Sequence, residues 1–425
     1  MASSAEVRKI DIILVGVYGI VTQTVFLREM LGLFRGTEFV IGIIIASWML
    51  WVGAGSLLGG RIFGDLFRKR FRNFQILIIS TAFLLPATTL IIRLGRAVLS
   101  SGPGEYPPMP GSVLFCAIVM GPAAFAAGLL YNEGSRWWKQ RSGSISSGVS
   151  WVYILEAAGS LAGGILFSLF LLRFLTQFEI ALLIFVLIAL VVARPLRSGI
   201  PAAALIALAL AAFFFASRML DDLSIERLFP GYSVRDFGSS RYGEIAVVER
   251  EGNISCFSGG SRLFTIPGTS RAEEMIHIPL LSHSNPERVL IVGGGLREEL
   301  REIRKHQSVT AAEFVQLDGM LIEILREHYI TGESSEIETE LVVGDGRRYV
   351  RHTGNRYDLI VINAPDPVNI EINRYYTMEF FRWAEMKLNR GGILALNHSS
   401  SENFISAHQG KVLKSVKSTL EGVFN

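Results

Sequence analysis

The sequence predicts a multi-span α-helical membrane domain followed by an α/β region, in which a small antiparallel sheet precedes a parallel sheet with helices on both faces. Three observations predict it. Half of the 425 residues are hydrophobic, and the excess is concentrated in the first half. Strand and helix patterns alternate strictly through the last third. The run Val289-Leu-Ile-Val-Gly-Gly-Gly295, with the charged stretch Leu296–Glu302 directly after it, reads as a buried strand, a tight turn and a helix. Such a turn lets backbone N–H groups approach a nucleotide-like ligand.

Mean hydropathy is +0.39, high for a soluble chain of this length. Apolar segments long enough, or nearly so, to cross a bilayer run at roughly 11–27, 38–60, 74–92, 111–131, 149–172, 177–193 and 199–217, so residues 1–217 are predicted to form a transmembrane domain of about seven segments. Arg8 and Lys9 precede the first segment with no small-residue cleavage site after it, which predicts an uncleaved first helix. Small residues such as Gly53, Gly55, Gly59, Gly159 and Gly163 let helices pack closely, and plain packing outweighs a transport path as their explanation. Arg28 and Glu29 sit near a span end, where snorkelling is the economical reading. Glu156 lies deeper within its segment.

Basic residues cluster at Arg61–Arg72, at Arg136–Arg141 and at Arg194 and Arg197, which assigns every second loop to the cytoplasm. Gly59–Asp65 with its basic tail resembles the cytoplasmic loop between helices two and three of major facilitator transporters. Seven crossings from a cytoplasmic N-terminus would leave the C-terminal domain outside. A nucleotide-like ligand favours the cytoplasm, so either one segment does not cross or the count of seven is wrong. A net charge of +3 is too slight to argue for nucleic acid as a partner, and two cysteines imply neither a disulfide framework nor a metal cluster.

Residues 218–239 read as a polar linker. From 240 to 285 short alternating runs (Glu244–Arg250, Asn253–Phe257, Arg262–Thr265), split by Gly252 and Gly259-Gly260, predict a small antiparallel sheet. From 286 to 425 the order is strand Val289–Val292, helix Leu296–Lys305, strand Ala312–Leu317, helix Gly319–His328, strand Glu340–Val343, strand Leu359–Asn363, helix Met378–Leu388, strand Gly392–Leu396 and helix Ser401–Leu420. This alternation means a parallel sheet. Ligands then bind beyond the carboxyl ends of its strands. Those ends carry Gly293, Gly294 and Gly295; Gln316 and Asp318, placed to bond ribose hydroxyls; Asp345 and Gly346, with a carboxylate that can accept from an exocyclic amine; and Asn363 with Asp366-Pro367. Each is weak alone. Together they predict an adenosine-like ligand.

These residues, with Tyr242-Gly243, Glu273, His277, Arg301-Glu302, Tyr357-Asp358 and Asn373–Phe381, resemble the spermidine synthase family over residues 240–425. The resemblance is nearest to a bacterial subgroup that fuses this domain to a multi-span membrane region, and Arg28–Met30 and Trp48–Trp51 fit that subgroup too. It implies a Rossmann-like, methyltransferase-type fold and transfer of an aminopropyl group from decarboxylated S-adenosylmethionine to an amine. It implies an integral protein of the bacterial inner membrane, with the lipid bilayer and a small-molecule amine or membrane-delivered metabolite as partners and no metal. It also admits a homodimer through the C-terminal domain. By the resemblance, Asp366 orients the acceptor, Tyr376 lines its pocket, and Asn363 stands where the family has its proton-accepting Asp. The family's domain continues into two further strands where this chain stops at Gly422–Asn425, so a truncated domain or a completing partner is expected.

Several family carboxylates are replaced. Leu296-Arg297 stand where an acidic residue grips the aminopropyl nitrogen, Gln316 stands for the ribose-binding Glu, and Arg271 stands for a polyamine-binding Tyr. Arg271 and Arg297 would repel a diamine and suit an anionic tail, such as the carboxylate of intact S-adenosylmethionine, unless both point to solvent. Three functions remain open at this level. One is a membrane-bound aminopropyltransferase-like enzyme using S-adenosylmethionine or its decarboxylated form, with Glu273, Arg271 and Arg297 near the substrate. Another is a catalytically degenerate cofactor sensor regulating a transporter-like bundle. The third is a membrane methyltransferase.

Overall fold

The computed structural model describes residues 8–34, 36–62, 72–99, 101–105, 107–142, 145–193, 215, 217–240, 242–329, 337–367, 369–398 and 405–424. The chain forms two compact units, Met1–Glu244 and Ile245–Asn425.

The first unit is helical: α1 (Lys9–Leu33), α2 (Glu38–Ile62), α3 (Arg72–Arg93), α4 (Met109–Ser142), α5 (Ile145–Leu166), α6 (Gln177–Ala193) and α7 (residues 217–228), ahead of strand β1 (Ser233–Ser240). Among the described residues five stretches are long and apolar enough to cross a membrane: Lys9–Leu33, Glu38–Gly59, Phe74–Arg93, Met109–Lys139 and Gly148–Phe174. Gln177–Val192 is apolar but shorter. The expected segment at 199–217 lies almost wholly outside the described residues, as do Arg194, Arg197 and the basic residues of 63–71.

Glycines close two helix pairs by reciprocal notches. A Cβ on Gly16 would stand 2.0 Å from the Glu156 carbonyl oxygen, and one on Gly159 would stand 2.0 Å from that of Ile13, which joins α1 to α5. Gly55 and Gly128 join α2 to α4 in the same way, against Phe125 and Val52. These glycines serve packing.

Two expectations for this unit need correction. Glu29 does not snorkel: it is 2% exposed and accepts from Arg93, which is itself fully buried, at 2.8 Å from Nη2 and 3.0 Å from Nε. Once that carboxylate is buried, its two-pronged guanidinium partner offsets the lost hydration. The span expected as a linker is also structured. It holds α7 and β1, and Asp221 and Ser224 on α7 accept from Arg93 Nη1. Thr176 donates to the other Asp221 oxygen at 2.8 Å. Close by, the Gln177 amide accepts from Arg28 Nε at 3.0 Å and donates to Glu244 Oε1 at 3.2 Å.

In the second unit β2 (Gly243–Arg250), β3 (Asn253–Ser258) and β4 (Ser261–Ile266) pair antiparallel, with Ile245 opposite Ser258 and Ser255 opposite Thr265. Their two-residue turns, Glu251-Gly252 and Gly259-Gly260, carry positive φ at all four residues, which matches the strand twist. A helical arm, Thr269–Ala272 continuing through a π turn to Leu281, leads into β5 (Arg288–Gly293). There follow α8 (Arg297–Ile303), β6 (Ala311–Gln316), α9 (Gly319–Tyr329), β7 (Glu338–Val343), α10 (Gly346–His352), β8 (Tyr357–Asn363), α11 (Met378–Lys387), β9 (Leu388–Leu396) and α12 (Ala407–Glu421).

The parallel strands run in the order β7-β6-β5-β8-β9, with Gly293 beside Asn363. Alternate residues bury opposite faces. Val289 and Ile291 pack with Leu300, Ile303 and Leu325, whereas Leu290 and Val292 pack with Tyr376, Phe380 and Phe381. From β5 the chain runs outward to β6 and β7, then returns to β8 on the other side of β5. The sheet therefore has its switch point between β5 and β8, and a crevice must open at their carboxyl ends. The last strand and helix differ from expectation: β9 begins at Leu388, and α12 begins at Ala407 behind its Ser406 cap.

Candidate active site

Both β5 and β8 end at this crevice. Gly293 and Gly294 each have φ +85, a region open to glycine, and a Cβ on Gly293 would meet the Asn363 carbonyl oxygen at 2.6 Å. A Cβ on Gly295 would strike the Phe264 ring at 2.6 Å. The turn is thus a cradle of bare backbone packed closely against Asn363 and Phe264. Leu296 continues it at φ +68, a conformation that costs a non-glycine residue about 1–3 kcal/mol. It is also buried, so a leucine fills a strained position beside the cradle.

The predicted cofactor residues line the successive strand ends. Gln316 donates to the Gly294 carbonyl at 2.6 Å and thereby braces the turn. Asp318 accepts from the Met320 N–H at 3.1 Å. Asp345 caps α10 through Arg348 N–H at 3.1 Å, and its other oxygen pairs with Arg374. Burial works against that carboxyl's charge, but these donors outweigh it and hold its pKa below the usual carboxylate range. Gly346 has a packing reason of its own, since a Cβ there would stand 2.3 Å from Val292.

Beside the turn lies a cleft of about 270 Å³ lined by Pro267, Arg271, Gly295, Glu298, Glu299 and Asn363, among others. Asn363 is its hub. It accepts from Arg271 Nη2 at 3.2 Å and donates to Glu299 Oε1 at 2.7 Å, and the same oxygen accepts from Gly295 N–H at 3.1 Å. Burial pushes the Glu299 carboxyl up, opposed by those hydrogen bonds and by Arg271. Burial likewise pushes Arg271 down, opposed chiefly by Glu299 and more weakly by Asp366.

Asp366 lies outside that cleft lining, with its Oδ1 3.6 Å from His398 Nδ1. The Tyr376 hydroxyl stands 3.2 Å from the carbonyls of Pro365 and Asn397, and its ring lines a second cleft with Pro367, Asn373 and Lys411. Burial first and Asp366 second raise the Tyr376 pKa, so it stays a neutral donor. Of the predicted substrate residues only Arg271 faces the first cleft, whereas Glu273 and Arg297 are exposed and line neither. Glu298, Glu299, Phe264 and His398 also stand at the site, and no sequence motif singles them out. For Glu299 a signal existed: a Glu four residues after a glycine turn, in the first turn of a helix, can fold back onto a free N–H.

Residues 269–425 match the spermine/spermidine synthase domain. The polyamine aminopropyltransferase of Thermococcus onnurineus is 34% identical over 158 residues, which are 36% of this chain and 56% of that protein. The polyamine aminopropyltransferase of Methanocaldococcus jannaschii is 38% identical over 131 residues, 30% of this chain and 44% of that protein. The chain therefore spans about half the length of the curated relatives it matches. A spermidine synthase solved with the transition-state analogue AdoDATO is 27% identical at a TM-score of 0.39, covering 45% of this chain and 65% of that one. The similarity to the spermine/spermidine synthase domain is thus confined to the C-terminal region of this chain.

Proposed function

We propose that the chain is a membrane-held transferase that moves an aminopropyl or related alkyl group from S-adenosylmethionine or its decarboxylated form to an amine. The observation that carries the reading is the glycine cradle at the β5–β8 switch point, with Gln316, Asp318 and Asp345 in order along the neighbouring strand ends. That spacing suits an adenosine: the sulfonium end over the turn, the ribose by Asp318, the base toward Asp345. An uncharged amine would attack the carbon beside sulfur. The C–S bond breaks with its electrons going to sulfur, methylthioadenosine leaves, and the amine's proton passes to Asp366, which His398 adjoins.

The full-length protein in nanodiscs should release methylthioadenosine from one of the two donors only when an amine is present. Asp366→Asn should slow that release about 100-fold or more. Absence of methylthioadenosine binding would overturn the reading. Asn363, an amide where the family has a base, favours a second reading as a sensor: the adenosyl ligand would bind with no product formed.

A further inference from the structure

We infer that the cleft beside the glycine turn binds an α-amino acid group, its carboxylate facing Arg271 and its ammonium facing Glu298 and Glu299. The inference rests on the transferase reading for the adenosyl half and names what the rest of the cleft is built to hold.

Charges of both signs line the cleft. Glu298 and Glu299 come from the first turn of α8, while Arg271 comes from the helical arm and Arg262 from β4. Polar capacity there is also unspent. Arg271 directs one hydrogen bond to Asn363, and its buried Nε has no acceptor among the described residues. Glu298 is 8% exposed, its buried Oε2 has no donor, and Arg301 stands 3.7 Å from it, outside hydrogen-bond range. Buried charged groups with unfilled partners are costly unless a ligand fills them. A zwitterion brings an acceptor for Arg271 and a donor for Glu298 in one molecule.

A diamine fits worse. It carries two cations into a cleft already lined by the guanidinium groups of Arg262 and Arg271. The amino acid group has two candidate sources, the methionine part of intact S-adenosylmethionine or an amino acid acceptor. Either gives the same balanced displacement: a nitrogen lone pair forms the N–C bond, sulfur takes the C–S electrons, and the nitrogen's proton goes to Asp366.

Calorimetry on the full-length protein in nanodiscs separates the sources. One arm compares S-adenosylmethionine with its decarboxylated form. The other compares L-ornithine with putrescine, its decarboxylated counterpart, with and without saturating methylthioadenosine. We expect the carboxylate to improve binding at least tenfold in one arm. Arg271→Gln should abolish that preference, and Arg271→Lys should retain part of it. Methylthioadenosine affinity, unchanged in both variants, reports an intact site. No carboxylate preference in either arm, or one that survives Arg271→Gln, overturns the inference. Failure of methylthioadenosine to bind the unsubstituted protein would instead sink the adenosyl reading. An Arg271-dependent preference for L-ornithine would still uphold the amino acid site in that case.

Discussion

Arg93 is fully buried and Arg271 half-buried, and they sit in opposite kinds of surroundings. Arg93 has an acceptor for every nitrogen: Glu29 takes Nε and Nη2, while Asp221 and Ser224 share Nη1. Arg271 has one acceptor and a bare Nε, and it borders a cleft. Glu313 on β6 repeats the satisfied pattern inside the second unit, with Arg288, Asn355, Tyr349 and Tyr357 all donating to its two oxygens. A buried charge with its valence filled is architecture. One left partly open at a crevice is addressed to a ligand.

The largest expected effect breaks the first half of that comparison. Arg93→Met strands Glu29 and Asp221 as buried, unpaired carboxylates, a loss of about 3–5 kcal/mol. Thermal melts in detergent should show the protein unfolding far below its normal midpoint. A midpoint within a degree or two would mean that the network is idle. The helix notches come next. Gly159→Leu drives a side chain into the Ile13 carbonyl, and overpacking of this kind costs about 1–3 kcal/mol. Gly53→Leu in the same unit meets nothing within 4 Å of a new Cβ and should be neutral by the same melt.

Legibility in the sequence followed the range of the interactions. The parallel sheet was readable because alternation and glycine turns are local signals, and so were the hairpins at Gly252 and Gly259-Gly260. The Arg93 network was not, since its partners lie 64 and 128 residues away. Helix α7 was hidden for a different reason. Its buried face carries Ser217, Asp221 and Ser224 beside Ile225 and Leu228, so the helical period is written partly in polar residues, and hydropathy overlooks it. At the site, the strand ends announced Asn363 and the turn. Glu299 and Glu298 did not stand out, because a first-turn glutamate ordinarily just complements the helix dipole.

Glu244 offers a milder test in the first unit. Burial, and then the nearby Glu29 charge, raise its pKa to about 8, with Arg93 and Arg28 opposing. In the unfolded chain it would titrate near 4.3. The folded state therefore holds this proton more tightly. The stabilisation it gives is complete below about pH 4.3 and is lost as pH rises through about 8. The melting midpoint should fall between pH 5 and 8, and Glu244→Gln should flatten that slope. An unchanged slope would place the titration elsewhere.

The smallest effect is the most telling. If Arg271 were a second Arg93, Arg271→Gln would destabilise the protein by several kcal/mol. Its loss removes one hydrogen bond to Asn363, whose amide still donates to Glu299, and it relieves a buried Nε that had no acceptor. We therefore expect a stability change within about 1 kcal/mol. Guanidine-free thermal melts at fixed pH can read this directly beside the Arg93→Met melt. Because the free site already carries the unmet valence, adding an amino acid ligand should raise the midpoint of the unsubstituted protein and leave that of Arg271→Gln where it was. A large drop in the ligand-free midpoint would make Arg271 a structural brace, and the distinction between filled and open charges would fail at the position where it matters most.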